Sequence, residues 1–191
     1  MNVEMQRAAI RAEVAAITPW DALEAEHRQD ALAWIDSGAE LWRREKPATP
    51  PEHLCTYFAL VDDAGLLLVD HKKAGLWLPP GGHVDPGEHP RDAVARELFE
   101  ELGVSGMKVP AASFITRTAV ASQHLDVTLW YALPVSRGLP LRHDGAEFRE
   151  ARWFDFDQLP YADSDPHLAR FVAKRAACLA RDETPALAVA R

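Results

Sequence analysis

Cysteine is scarce: Cys55 and Cys178 are the only two in 191 residues, far apart in the chain. A disulfide framework or a CxxC zinc site needs more, so two free thiols in a reducing, cytoplasmic setting are expected. No HxH or HExxH spacing occurs, and no histidine is expected to ligate zinc. No run approaches the roughly 18 apolar residues of a membrane span. The N-terminus, MNVEMQRAAIRAEVAA, has acids and bases throughout and lacks the apolar stretch of a secretory signal. Basic residues are in deficit, with 21 Lys+Arg against 29 Asp+Glu and a net charge of −8. A nucleic-acid polymer needs a basic footprint, so none is expected as a partner. An anionic substrate would need a recruited positive charge to offset this field. Internal repeats and low-complexity tracts are also missing. What remains is 48% hydrophobic residues, enough to bury a core in one domain with an extension.

Two amphipathic helices are expected over residues 1–50. Val3, Ile10, Val14 and Ile17 have helical spacing over 3–17. Thr18 is then the expected N-cap of the second helix, with Pro19 in its first turn and Asp21 closing a capping box. Leu32, Ile35, Ala39 and Trp42 form its apolar stripe, and Pro47, Pro50 and Pro51 end it. Trp20, Trp34 and Trp42 need cover, from the main domain or from a second copy in a homodimer, a substrate lid being the sharper alternative. From residue 53 the pattern turns to strand. Leu54–Val61, a turn at Asp62–Gly65, and Leu66–Val69 read as a hairpin. Leu76–Leu78 is a short strand stopped by Pro79-Pro80-Gly81-Gly82. A helix is expected over Pro90–Leu102 with Gly103 after its end. Strands follow at about 112–120 and 124–133, the second alternating Leu125, Val127, Leu129, Tyr131 against Asp126, Thr128, Trp130. A strand near Ala151–Phe154, a helix over 166–180 and a flexible tail over 181–191 complete the chain. Hairpins mixed with isolated helices indicate an α/β sandwich on a mixed sheet.

The informative segment is GHVDPGEHPRDAVARELFEELGV, Gly82 to Val104. At about 100° per residue, Glu97, Glu100 and Glu101 share one face about 100° wide. Ala95, Leu98, Phe99 and Leu102 lie opposite and should pack on the sheet, leaving the carboxylates outward. A bare acidic face is ordinary solvated surface, yet three carboxylates this close repel one another, and a hard divalent cation resolves that. Arg96 can pair with Glu88 or Glu101 and orient the acids. Gly81 and Gly82 let the backbone pass close to an ion or phosphate.

This segment resembles the Nudix box, G-x5-E-x7-R-E-U-x-E-E-x-G-U with U aliphatic. Gly82, Glu88, Arg96, Glu97, Leu98, Glu100, Glu101, Gly103 and Val104 fill its defined positions. The resemblance extends over about residues 51–180 and leaves residues 1–50 outside it. It implies the Nudix fold, an α/β/α sandwich with a mixed β-sheet, here with an N-terminal helical extension. It implies hydrolysis of a nucleoside diphosphate linked to another moiety. Glu97, Glu100 and Glu101, with the Gly81 carbonyl, would bind Mg²⁺, Mn²⁺ being a substitute, and Arg96 and Glu88 would form the supporting pair. An acid from a later loop is often added, for which Glu147 comes first and Glu150 second. Glu97 is the first choice of general base and Glu147 the alternative.

The substrate is a nucleotide-type small molecule of unassigned identity. Lys72 and Lys73 read as solvated turn lysines, Arg117 and His124 as structural. His83, in the Gly-rich loop, is the weaker candidate for substrate contact. A Nudix-fold sensor that binds nucleotide without turnover is the alternative function. It would predict an eroded box or an added nucleic-acid-binding region, whereas this box is complete and no basic segment is present.

Overall fold

The alternation along residues 124–133 has both its faces buried, because helices cover both sides of the sheet. The computed structural model describes residues 3–46, 49–120 and 124–182. Pro47, assigned to the end of the second helix, and residues 183–191 of the expected tail lie outside them. In order the elements are α1 (Val3–Ala16), α2 (Ala22–Asp36), β1 (Glu52–Val61), β2 (Gly65–His71), β3 (Leu76–Leu78), β4 (Gly81–His83), α3 (Pro90–Leu102), β5 (Phe114–Val120), β6 (His124–Pro134), β7 (Phe148–Asp155), a short 3-10 turn (Tyr161–Asp163) and α4 (Leu168–Asp182).

The sheet runs β3-β2-β1-β6-β5, with β4 added on β1 and β7 on β2. The β1–β6 pair is parallel and the rest are antiparallel, so the sheet is mixed, as expected. Strand alternation sends side chains to opposite faces. Val127, Leu129 and Tyr131 enter a core with α1, α2 and the α3 residues Ala93, Val94, Leu98 and Leu102. Trp130 enters a second core with Phe114, Leu168 and Phe171 under α4. This is the α/β/α arrangement. No helix among the described residues is long and apolar enough to cross a membrane.

Three local expectations are corrected. The α2 N-cap is Asp21, not Thr18: its side chain accepts from Glu24 N at 2.8 Å, and Glu24 Oε2 accepts from Trp20 N at 2.6 Å. Two carboxylates satisfy the first-turn donors better than a hydroxyl three residues upstream. Helix α2 stops at Asp36, because Ser37 caps it and Gly38 follows at φ 79°, so Ala39 and Trp42 lie beyond it. Val3 is exposed, while Ile10 and Val14 are fully buried.

The extension is tied to the rest of the chain. Glu13 of α1 accepts from Arg91 Nε at 2.8 Å and from Ala112 N at 3.0 Å, and Gln6 donates to the Gly87 carbonyl. Lys174 of α4 reaches the fully buried Glu24 at 2.7 Å, and Arg170 forks onto Asp21, which holds that carboxyl down at about 2. Trp42 is buried and donates to the Glu88 carbonyl at 3.0 Å. Trp34 is half-buried against the same core, and Trp20 is 39% exposed.

Candidate active site

Helix α3 begins on Pro90 with His89 as N-cap and ends on Gly103 at φ 70°. Its buried stripe is Ala93, Val94, Leu98 and Leu102. Ala95 is exposed and Phe99 is 59% exposed, against expectation. The stripe therefore sits closer to the acids than the wheel suggested, and Glu101 falls inside it, only 4% exposed. Glu97 is half-buried, and Glu100 alone of the three faces water. The reason is the two-glycine strand β4, which lets the helix lie close. A Cβ on Gly82 would overlap the Glu97 carboxylate, and Gly81, at φ 149°, would press a Cβ into the Thr56 carbonyl.

Arg96 organises the cluster. Its Nε and Nη2 grip the two Glu88 oxygens at 3.0 and 2.9 Å, while Nη1 donates to Glu97 Oε1 at 2.8 Å and Glu100 Oε2 at 3.2 Å. Nη2 also reaches the His83 carbonyl at 3.1 Å. Arg96 does not pair with Glu101. Planar, forked recognition of this kind is what Arg supplies and Lys does not. Glu88 is itself fixed, accepting from Asp85 N at 3.0 Å.

Burial pushes the Glu101 carboxyl up to about 9, aided by the charges of Glu97 and Glu147 and opposed by a bond from the Gly81 N–H. Burial also raises Glu97, against the pull of Arg96. Glu147, exposed on the loop before β7, is close enough to act on both. Glu150 is turned away into a pair with Arg152 at 2.6 Å. Three carboxylates thus share this part of α3, Arg96 touching Glu97 and Glu100 directly, while the charge of Glu147 raises the two inner acids. Glu101 Oε2 is buried without a hydrogen-bond partner. An orphaned carboxylate oxygen beside a glycine cradle fits a hard divalent cation, which takes carboxylate and carbonyl oxygens.

The remaining candidates are placed as follows. Arg117 pairs with Asp30 at 2.5 Å and Glu52 at 2.7 Å. Lys72 Nζ donates to the Gly145 carbonyl at 2.5 Å. Cys55 is buried, Cys178 exposed, and both are free thiols. His83 and His124 come together with His53 and Asp126, a grouping the sequence reading missed. Its only trace in the chain is the two-residue step from His124 to Asp126, which puts both on one face of β6.

A sequence model described as the NUDIX domain matches residues 51–174. The NAD-capped RNA hydrolase NudC of Edwardsiella ictaluri is 28% identical over 150 residues, covering 78% of this chain and 55% of that protein. The oxidized purine nucleoside triphosphate hydrolase of Mus musculus is 37% identical over 94 residues, 49% of this chain and 58% of that protein. The chain thus spans little more than half the length of these two relatives. The crystal structure of a MutT NUDIX hydrolase from Burkholderia pseudomallei is 28% identical and superposes with a TM-score of 0.53, covering 65% of this chain and 96% of that one.

Proposed function

This chain belongs to the NUDIX domain family, and from that premise we propose that it is a pyrophosphohydrolase using Mg²⁺, with Mn²⁺ as substitute. Its substrate would be a nucleoside diphosphate linked to another moiety. The observation that carries the reading is the Glu97–Glu100–Glu101 cluster with an orphaned buried oxygen on Glu101, braced by Arg96 and Glu88.

Glu97, Glu100, Glu101 and the Gly81 carbonyl would hold the ion. When bound, it would neutralise diphosphate oxygens and lower the pKa of a coordinated water. Arg96 holds Glu97 by one oxygen, Oε1, leaving the other to accept a proton. Burial makes Glu97 a stronger base than a free carboxylate. Water attacks one phosphorus in line, Glu97 takes its proton, and the bond from phosphorus to the bridging oxygen breaks. Glu147 is the second candidate for that proton, supported by its proximity to both inner acids. Residues 51–180 form the hydrolase domain in this reading and residues 1–50 a helical extension.

The test is product release from nucleotide sugars, dinucleotides, nucleoside triphosphates and ADP-ribose, with Mg²⁺ and with Mn²⁺. Metal-dependent hydrolysis of a diphosphate linkage is expected. Tight binding with no turnover of any of them would support a sensor and overturn the reading.

A further inference from the structure

Beside the acidic helix, four side chains from three strands converge: His53 of β1, His83 of β4, and His124 and Asp126 of β6. The parallel register sets His53 opposite Asp126, and the antiparallel β1–β4 register sets His83 opposite Cys55, two residues along from His53. One potential ligand atom from each lies within 4.8 Å of all the others. His53 is fully buried, its ring 5.2 Å from that of His124 and 5.0 Å from that of His83.

The tautomer of a neutral His53 can be read from its neighbour. Its Nδ1 lies 2.9 Å from the Pro50 carbonyl oxygen. A carbonyl only accepts, so Nδ1 carries the proton, and a neutral ring then has a bare lone pair on Nε2. That lone pair faces Asp126 Oδ1 at 3.3 Å. His124 Nε2 meets the same oxygen at 3.2 Å. His53 Nε2 and Asp126 Oδ1 are both buried and have no hydrogen-bond partner of acceptable geometry. With metal bonds of about 2.0–2.1 Å, the edge of a tetrahedron is about 3.3 Å. Both measured separations match it. A backbone carbonyl holding the far nitrogen is also the usual support of a metal-bound histidine.

We propose that His53, His124, Asp126 and His83 form a second metal site, for one divalent ion of the zinc type, separate from the carboxylates of α3. Imidazole nitrogens select Zn²⁺, Co²⁺ or Ni²⁺, whereas Mg²⁺ prefers an all-oxygen set. The ion ties the starts of β1 and β6 to β4. Arg43 competes with it for His83: its Nη1 donates to His83 Nε2 at 3.0 Å. Metal entry displaces that guanidinium.

The experiment is a Co²⁺ titration of the full chain in excess Mg²⁺, which saturates the carboxylates, followed by visible d–d absorption and by the melting temperature with Zn²⁺. One equivalent of Co²⁺ with tetrahedral bands is expected, and a Zn²⁺-induced rise of at least about 5 °C at 100 times Kd. Asp126→Asn and the less buried His124→Ala should weaken binding by about a hundredfold or more while keeping the circular dichroism spectrum. Arg43→Met should tighten it by about tenfold. A Glu97→Gln/Glu101→Gln protein should keep the bands. Loss of the bands in that protein, undiminished binding in Asp126→Asn, no gain in Arg43→Met, or no Co²⁺ bound by the unmodified chain overturns the assignment.

Discussion

Replacing Glu101 by Gln separates stability from function. The side chain is 4% exposed, and its carboxyl is pushed from 4.5 up to about 9, first by burial and then by Glu97 and Glu147. Between those two values the folded chain holds a proton that the unfolded chain has released. Stability of the metal-free protein must then fall as pH rises from about 4.5 to about 9, and level off above. At pH 7 the gap spans about 2.5 pH units, a penalty of about 3 kcal/mol. Glutamine has the same shape, stays neutral, and can still accept from the Gly81 N–H. In EDTA, Glu101→Gln should gain about 3 kcal/mol at pH 7, a rise in Tm of about 6–12 °C, and should lose that pH dependence. In Mg²⁺ the variant should lose several kcal/mol of charge stabilisation and about 10³-fold in turnover. Denaturant unfolding at pH 5, 7 and 9, with and without Mg²⁺, measures all of this. If the variant is no more stable than the parent in EDTA, and unfolds with the same pH profile, burial does not set this carboxyl and the reasoning is refuted.

Gly82→Ala should raise the Mg²⁺ needed for half-maximal activity by about tenfold, because the new Cβ displaces the Glu97 carboxylate. A metal titration of activity checks it, and an unchanged midpoint would show that the glycine is not required for close approach. Glu147→Ala should cut kcat by about a hundredfold if it moves a proton, whereas Glu150→Ala, turned into Arg152, should stay within about twofold. Steady-state kinetics of the pair decide it, and equal losses would refute the placement. Lys174→Met leaves the fully buried Glu24 without its ionic partner. It should cost about 3–5 kcal/mol in urea unfolding, and a loss below about 1 kcal/mol would mean that this tie between α2 and α4 contributes little.

The acidic site was legible because its parts are neighbours on one helix. Glu97, Glu100, Glu101, Arg96 and Gly103 stand in a spacing that helical geometry converts directly into adjacency. Strand β6 was legible from alternation and β1 and β2 from their apolar runs, whereas β4, made of residues read as the stop after β3, was not; nor was the cap of α2, since Thr18 and Asp21 both have capping chemistry and only the path of the chain chooses between them. The side of α3 that is buried was misjudged for a related reason. The wheel gives angles between residues, but which angle meets the sheet depends on how near Gly81 and Gly82 let β4 approach.

By itself, then, the chain determined which acids stand together, where α3 ends, and that two helices precede the strands, because these follow from intervals of a few residues. Tertiary structure alone decided that Glu101 is sealed from water while Glu100 is not. It also decided that Glu150 turns away and that three histidines meet one aspartate. Those relations depend on strand register and on the depth of packing between elements far apart in the chain, and no local interval encodes either.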